Sequence, residues 1–259
     1  MTPDEFNLLA SYGEPIGRLG GAFFVSDQAK AFAKKHRLRG WQGYFLGRCA
    51  CLGQAPASVV HSVCGFFPTD FVTAHWDGGW ATVEEAGTPA SGVAQDFADA
   101  CADWGEHHLA DFDGSARLAA LAERVIDHAD SSAAPLFAGW RDQQRPENPA
   151  GRAYLAVNTL RELRGAQHLS AVLASGLAPV EAIVTGQHGA AGAAFFGWPA
   201  DQTPQPTDEM RTKRQAAEDL TDQMAVVPFT VLSDPERAEL GELLTGALRH
   251  ATTPGDPRA

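Results

Sequence analysis

The sequence is short of basic residues and has no long apolar run. It holds 20 Lys and Arg against 32 Asp and Glu, which gives a formal net charge of −12 at pH 7. Because a DNA-binding protein gains much of its affinity by neutralising phosphates, this balance disfavours a nucleic-acid partner. No apolar stretch approaches the roughly 18 residues that a membrane-spanning helix needs, and the first residues do not form a secretory signal. We therefore expect a cytoplasmic protein that spans no membrane.

Cysteines and catalytic signatures are also scarce. Four cysteines in 259 residues do not form a disulfide framework, so we expect reduced thiols. The chain has no H-E-x-x-H, G-x-S-x-G, G-x-G-x-x-G or P-loop motif, which removes the easily recognised hydrolases, Rossmann enzymes and NTPases. The motifs therefore leave any catalytic residue and any cofactor unidentified.

Two pairs of residues could bind zinc or iron. Cys49 and Cys51 lie two residues apart on a predicted helix and point to different faces, whereas His61 and Cys64 lie three apart and share a face. Structural zinc sites usually pair their ligands on turns instead. We therefore interpret these cysteines as buried core thiols and predict no metal site. The pair His107-His108 we interpret as part of a polar loop.

Apolar residues recur at helical spacing along most of the chain. The clearest amphipathic helix covers residues 114–129, where the apolar positions are Leu118, Leu121, Ala122, Val125, Ile126 and Ala129. These positions follow the i, i+3, i+4, i+7 pattern of a helix with one buried face. Alternation with a period of two residues is nearly absent, so the sequence predicts a mainly α fold with few or no β-strands.

Caps and helix breakers predict where the other helices begin and end. We expect helices over residues 4–12, 26–36, 41–51, 151–163 and 166–175, and others beginning at Pro56, Pro68, Thr82, Pro179, Thr207 and Ser233. We expect a turn at Asp77-Gly78-Gly79 and a loop from Gln187 to Pro206. The helix after Thr207 has near-heptad apolar positions from Met210 to Val227, which fit an internal seam or a homodimer.

A proline-rich polar segment from Ser131 to Pro149 is the predicted boundary between two halves. The N-terminal half then covers residues 1–145 and the C-terminal half residues 146–250, while residues 251–259 form a disordered tail.

The two halves share a sequence pattern. Arg39-Gly40 and Gln42 align with Arg164-Gly165 and Gln167, and after a short gap Pro56 aligns with Pro179. Both copies predict a helix, a glycine break and a second helix opened by Ala-Pro. We interpret the pattern as an internal duplication with a cleft between the copies, with chance similarity in an Ala-rich chain as the alternative.

Several short motifs across the chain carry a family resemblance. The first half contains Arg39-Gly40-Trp41-Gln42-Gly43-Tyr44-Phe45 with Arg48, then Gly65-Phe66-Phe67-Pro68. The second half contains Leu163-Arg164-Gly165 with His168, Ser175-Gly176-Leu177 with Glu181-Ala182, and Glu218-Asp219-Leu220-Thr221-Asp222. With these motifs the chain resembles an actinobacterial family of uncharacterised proteins often described as helix-turn-helix or winged-helix-like. The resemblance implies two related winged-helix-like helical halves packed together, and no established reaction.

The chain departs from this pattern where a winged helix would have its recognition helix and β-wing. It has no Lys or Arg from Thr185 to Thr207. A recognition helix needs Arg, Lys, Asn or Gln side chains that reach base edges and phosphates. We therefore predict that the DNA-reading surface is lost.

Candidate binding residues occur where large and absent side chains alternate. Trp41 and Tyr44 stand among glycines, a mixture that tends to leave a concavity or a close helix contact. Arg48 lies one turn from Tyr44, and a buried guanidinium needs a carboxylate partner, for which Glu14 and Asp70 are the internal candidates.

His168 stands at the start of an otherwise apolar helix, close to Arg164 and Gln167. A neutral imidazole there could contact a ligand, ligate haem or act as a general base, or could simply hydrogen-bond a neighbouring carbonyl. The predicted ligand-binding residues are Trp41, Tyr44, Arg48, Arg164, Gln167 and His168.

These candidate residues lead to the hypothesis that the protein binds a small apolar or planar molecule. One alternative is a DNA-binding transcriptional regulator with a basic surface at Lys34, Lys35, Arg37 and Arg39. The other is an enzyme that uses His168 with an arginine on an anionic substrate, or that carries haem.

Overall fold

The computed structural model describes residues 1–252, and all the regular structure in that range is helical. The predicted mainly α fold is therefore confirmed. Of the tail that we expected to be disordered, Ala251 and Thr252 close the last helix, and residues 253–259 lie outside the described residues. No helix within residues 1–252 has the length and apolar character to cross a membrane.

Fourteen α-helices follow one another within this range. They are α1 Pro3–Ala10, α2 Gly13–Ala22, α3 Asp27–Lys35, α4 Trp41–Cys49, α5 Ala57–Val63, α6 Thr69–Glu85, α7 Ala90–His108, α8 Ser115–His128, α9 Pro135–Arg141, α10 Pro149–Ala174, α11 Pro179–Val184, α12 Gly189–Phe195, α13 Asp208–Ala225 and α14 Asp234–Thr252. Short 3-10 helices cover Phe23–Val25, Ala50–Leu52, Ala200–Gln202 and Val227–Val231.

Side-chain caps fix several helix starts, as the sequence predicts. Ser26 and Thr207 each accept a hydrogen bond, 3.2 Å long, from the backbone N–H three residues further on. Before α14, the Ser233 N–H donates to the Glu236 carboxylate at 2.9 Å, which satisfies a donor that the helix itself leaves free. The amphipathic helix predicted over residues 114–129 is α8.

Helix α6 is continuous where the sequence predicts an interruption. The expected turn at Asp77-Gly78-Gly79 and the expected cap at Thr82 are both wrong, because α6 runs through them. The glycines instead bring α6 close to α4. A Cβ atom at Gly78 would lie 2.9 Å from Gln42 Nε2, and one at Gly79 would lie 3.5 Å from Leu46 Cβ.

The longest helix, α10, lies at the centre of the molecule. It packs against α2, α7, α8, α9 and α13, and most of its side chains between Ala150 and Leu163 are buried. The expected division into helices 151–163 and 166–175 is wrong, because α10 continues through Gly165. A glycine inside a helix costs about 1 kcal/mol relative to alanine, which the packing of α10 on its neighbours offsets.

The segment from Gln187 to Pro206, expected to be a loop, contains α12 and a 3-10 turn. Ala193 of α12 is buried in a small cluster with Val180 and Val184 of α11. The composition misleads here because Gly and Pro frame a run of alanines, the residue with the strongest helix preference.

The histidine pair is also helical and does not lie in the expected polar loop. His107 and His108 end α7. The His108 ring stacks on Trp104 of the preceding turn, with ring centroids 4.1 Å apart.

The main hydrophobic core crosses the boundary proposed between the halves. It extends from Leu9 in α1 to Ala251 in α14, and includes Trp140 of α9 within the proline-rich segment. Residues 1–145 and 146–250 thus contribute to one core, and the division into two units stays a prediction. The α13 face with Met210 and Ala217 packs against α10 and α11 as an internal seam does, and the homodimer stays a prediction.

Corresponding glycines of the two halves agree in conformation at one place and differ at another. Gly53 and Gly176 both have positive φ, 68° and 67°, and each ends a helix before the next proline-led helix. Gly40, with φ of 50°, immediately precedes α4, whereas Gly165 lies inside α10. The duplication therefore stays a prediction that rests on the glycine break and the helix after it.

Candidate functional site

Two cavities adjoin between α4 and α10. The larger, about 540 Å³, we call the aromatic cavity, and the smaller, about 270 Å³, we call the polar cavity. Tyr44, Phe67, Arg161 and Phe196 line both, so the two spaces share a wall. The sequence predicts Tyr44 in such a site, and it misses the other three.

The aromatic cavity is built from rings and very small residues. Its aromatic walls are Phe24, Trp41, Tyr44, Phe67, Phe97, Phe195 and Phe196, and its smallest lining residues are Gly21, Ala29, Ala33, Gly40 and Gly43. The Trp41 ring meets the Tyr44 and Phe195 rings edge to face, with centroids 5.2 and 5.3 Å apart. Phe195 is largely exposed and forms part of the rim.

Gly43 explains how α3 and α4 approach each other at this cavity. A Cβ atom at Gly43 would lie 2.9 Å from Ala33 Cβ, closer than real Cβ atoms come. The absence of a side chain at Gly43 therefore allows the helices to meet while Trp41 and Tyr44 turn towards the cavity. The predicted combination of glycine and aromatic residues does produce a concavity at this place.

Within residues 1–252, the polar cavity is lined by three arginines and by no acidic side chain. The polar lining residues are Tyr44, Arg48, Cys64, Arg161, Arg164 and His168. Arg48 Nη2 lies 2.7 Å from the Oε2 atom of Glu162, which is fully buried behind the cavity wall. The expected partners Glu14 and Asp70 are wrong, because Glu162 holds Arg48, and Glu14 pairs with Arg18 on the surface.

Glu162 also accepts a hydrogen bond from its neighbour Arg161, with Nη1 2.9 Å from Oε1. Burial acts to raise the pKa of the Glu162 carboxyl, but the Arg48 and Arg161 guanidinium groups outweigh it and leave this pKa below its ordinary value. The carboxylate is therefore ionised at neutral pH. Two positive charges surround one negative charge, so this part of the site keeps a positive excess.

Tyr44 connects the ion pair to both cavities. Its hydroxyl oxygen accepts a hydrogen bond from Arg48 Nη1 at 2.8 Å. Burial raises the pKa of Tyr44, so the phenol keeps its proton. Because the oxygen already acts as acceptor towards Arg48, that proton is left to be donated at the shared wall.

Arg161 and Arg164 lie flat against α2. A Cβ atom at Gly20 would be 3.1 Å from the Cβ and Cδ atoms of Arg161, and one at Gly13 would be 2.7 Å from Arg164 Nε. Small residues on α2 thus make room for both arginine stems. Arg164 Nη2 lies 3.5 Å from Asp222, a longer approach than that of Arg48 to its partner.

His168 has a defined tautomer. Its Nδ1 atom lies 3.0 Å from the Thr221 hydroxyl, and that hydroxyl donates its own proton to the Ala217 carbonyl at 2.7 Å. Nδ1 must therefore carry the proton and donate it to Thr221, which leaves Nε2 as an acceptor. Burial lowers the pKa of His168, so the ring is neutral at neutral pH and could accept a proton.

Gln167 is the one predicted residue that lies apart from the two cavities. Its Nε2 atom donates to the Met224 carbonyl at 3.3 Å, and its side chain lines a separate small cavity. The other five predicted residues, Trp41, Tyr44, Arg48, Arg164 and His168, all line the aromatic or the polar cavity.

The candidate metal ligands contact either one another or the backbone. Cys49 and Cys64 contact each other with their sulfur atoms 3.6 Å apart, while Cys51 donates to the Arg48 carbonyl. The His61 ring faces the Phe67 carbonyl at 3.2 Å. In the part of the chain that the structure describes, no group of three or more His, Cys, Asp or Glu side chains is arranged to hold a metal ion.

Beyond the cavities, the end of α10, the Gly176 turn and α11 form two helices joined by a short connection. A model of a helix-turn-helix family matches residues 11–256. The chain belongs to this helix-turn-helix family. No curated protein and no solved structure was found to match it. The helix-turn-helix part of the expected resemblance is thereby confirmed, while the arrangement of two winged-helix-like halves stays a prediction.

Proposed function

We propose that this protein binds a small, planar, largely apolar molecule in the aromatic cavity. The observation that carries the proposal is a space of about 540 Å³ whose lining includes seven aromatic rings. Protein interiors usually pack without voids of this size, whereas ligand pockets of roughly 300–1,000 Å³ with hydrophobic walls and few polar groups are common. Flat walls at Trp41 and Phe195 suit a ring system that packs against their edges and faces.

Membership of a helix-turn-helix family supports a second candidate function, the binding of duplex DNA. The helix that follows α11 offers little for reading bases, because α12 has the sequence GAAGAAF. The basic group near α3 is partly neutralised, since Lys35 Nζ lies 2.8 Å from Asp96 and His36 Nε2 lies 2.9 Å from the same carboxylate. These observations favour the small-molecule function over the regulator.

The alternative of an enzyme rests on His168, whose Nε2 atom is an acceptor beside three arginines. It stays a prediction, as does haem binding. A visible absorption band that disappears in His168→Ala would support the haem alternative over the small-molecule function.

The test is a titration with phenylnaphthylamine, an uncharged probe that fluoresces in apolar surroundings. We expect saturable binding to the wild type and a loss of at least about tenfold in affinity for Ala29→Phe, because the new ring fills the aromatic cavity. The matched control is Ala31→Phe, the same change at an exposed position of α3.

Equal affinity of all three proteins for the probe would refute the proposal. Salt-dependent binding to duplex DNA that is lost in Arg37→Gln, without probe binding, would establish the regulator instead.

A further inference from the structure

We propose that the ligand is a planar aromatic acid, and that Arg161 and Tyr44 hold its anionic group where the aromatic and polar cavities meet. This inference rests on the proposed function, because it names the chemical class of the molecule bound in the aromatic cavity. Both residues line both cavities, so a group held between them belongs to a molecule whose rings fill the larger space.

The first argument is the balance of charge. The three arginines of the polar cavity have two buried or half-buried carboxylate partners, Glu162 and Asp222, and neither carboxylate lines the cavity. One positive charge is left over in a protein whose formal net charge is −12. A single negative charge on the ligand would complete the balance.

The second argument is the supply of hydrogen-bond donors. All three nitrogens of Arg48 have a partner, since Nε and Nη2 donate to Glu162 and Nη1 donates to Tyr44. Within residues 1–252, Arg161 donates one hydrogen bond, from Nη1 to Glu162, although a guanidinium has five N–H groups. Its remaining donors and the Tyr44 O–H together suit the oxygens of a carboxylate or sulfonate.

The third argument is the position of the Arg161 guanidinium relative to the rings. Its central carbon lies 4.8 Å from the centroid of the Phe24 ring, which is itself a wall of the aromatic cavity. The cation is thus held at the edge of the apolar space by the ring on one side and by Glu162 on the other. An aromatic molecule beside Trp41 can reach it with a short acidic substituent.

The experiment compares two fluorescent probes that differ by one charged group: anilinonaphthalene sulfonate and uncharged phenylnaphthylamine. We expect the wild type to bind the sulfonate about tenfold more tightly, the gain typical of a charge-assisted hydrogen bond. Arg161→Gln should abolish this preference, so that the variant binds the two probes with equal affinity. Arg18→Gln, at an exposed arginine of α2, is the matched control and should keep the preference.

The outcomes separate the two proposals. Equal affinity of the wild type for both probes, or a preference that survives in Arg161→Gln, would overturn the aromatic acid while the aromatic cavity remains a binding site. Failure of both probes to bind would overturn the proposed function and this inference together.

A second measurement uses the wild type alone and needs no variant. In the wild type, naphthoate should displace bound phenylnaphthylamine about tenfold more effectively than naphthamide, which has the same rings and no charge. Equal displacement by the two compounds would overturn the inference.

Discussion

The guanidinium of Arg48 on α4 lies 2.7 Å from the carboxylate of Glu162 on α10, and this ion pair is almost completely shielded from water. It joins two helices that are far apart in the sequence, with Arg48 lining the polar cavity and Glu162 buried behind its wall. The pair fixes the position of Tyr44 through Arg48, so the stability of the molecule and the shape of the site depend on the same contact.

Removing Arg48 should therefore destabilise the protein strongly. In Arg48→Ala the Glu162 carboxylate stays buried with only Arg161 beside it, and we expect a loss of about 3 kcal/mol in the free energy of unfolding. Urea denaturation measures this loss. Arg18→Ala breaks an exposed pair and should cost less than about 1 kcal/mol. Equal effects of the two changes would contradict the structural role of the buried pair.

The pH dependence of stability should include a contribution from His168. Its folded-state pKa is lowered by burial, so as the pH falls the unfolded chain binds a proton before the folded protein does. The contribution of His168 to the free energy of unfolding should thus be complete above about pH 6.5, the ordinary histidine pKa. It should be lost as the pH falls through the lower folded-state pKa. Urea denaturation at several pH values should show a weaker decrease for His168→Gln. An unchanged pH profile would mean that His168 is not buried as a neutral ring.

Replacement by alanine should change the free energy of unfolding in opposite directions at a glycine of α7 and at a glycine of α10. A Cβ atom at Gly105 would collide with Tyr154 and lie 2.8 Å from the Ala150 carbonyl, so Gly105→Ala should lower the free energy of unfolding by about 3 kcal/mol. At the exposed Gly165 no atom lies within 4 Å of the added methyl group, and alanine should add up to about 1 kcal/mol. Thermal unfolding of both variants tests this. Destabilisation by Gly165→Ala would contradict the continuous α10.

Cys64 should be the most reactive thiol. The contact with the Cys49 sulfur, 3.6 Å away, lowers the pKa of Cys64, and Arg48, whose Nη1 atom is 3.8 Å away, lowers it further against the opposing effect of burial. Burial raises the pKa of Cys51 to about 12 and also raises that of Cys101. Since Cys64 lines the polar cavity, a small reagent can reach it.

Mass spectrometry after brief iodoacetamide treatment at neutral pH should find Cys64 alkylated about tenfold faster than Cys101. Bound anilinonaphthalene sulfonate, with its anionic group where the two cavities meet, should slow the reaction of Cys64. Preferential labelling of half-buried Cys51 would show that exposure decides reactivity in this protein.

Local sequence patterns predict much of the fold. The helix at α8 and the caps at Ser26, Thr207 and Ser233 are visible because period and capping chemistry act within a few residues. Glycine is ambiguous at this level. It ends helices at Gly53 and Gly176, yet within α6 it permits close packing on α4, and only the tertiary contact distinguishes the two uses.

The site is predictable in part for the same reason. The alternation of glycine with Trp41 and Tyr44 is a local pattern, and it identifies one wall of the aromatic cavity. Glu162 is missed as the partner of Arg48 because the two residues are 114 positions apart, and packing alone brings them together. A usable signal did exist, since Arg161-Glu162 places two charges in the middle of a helix with apolar residues on almost every side.

The close approach of α2 to the two arginines has a consequence for homologous sequences. Any side chain at position 13 or 20 would push Arg164 or Arg161 away from where it lies. Homologues with this arginine pair should therefore keep glycine at both positions. Bulkier residues at these positions would indicate that the two arginines lie elsewhere. Positions 13 and 20 can therefore distinguish family members that share this binding chemistry from members that have diverged from it.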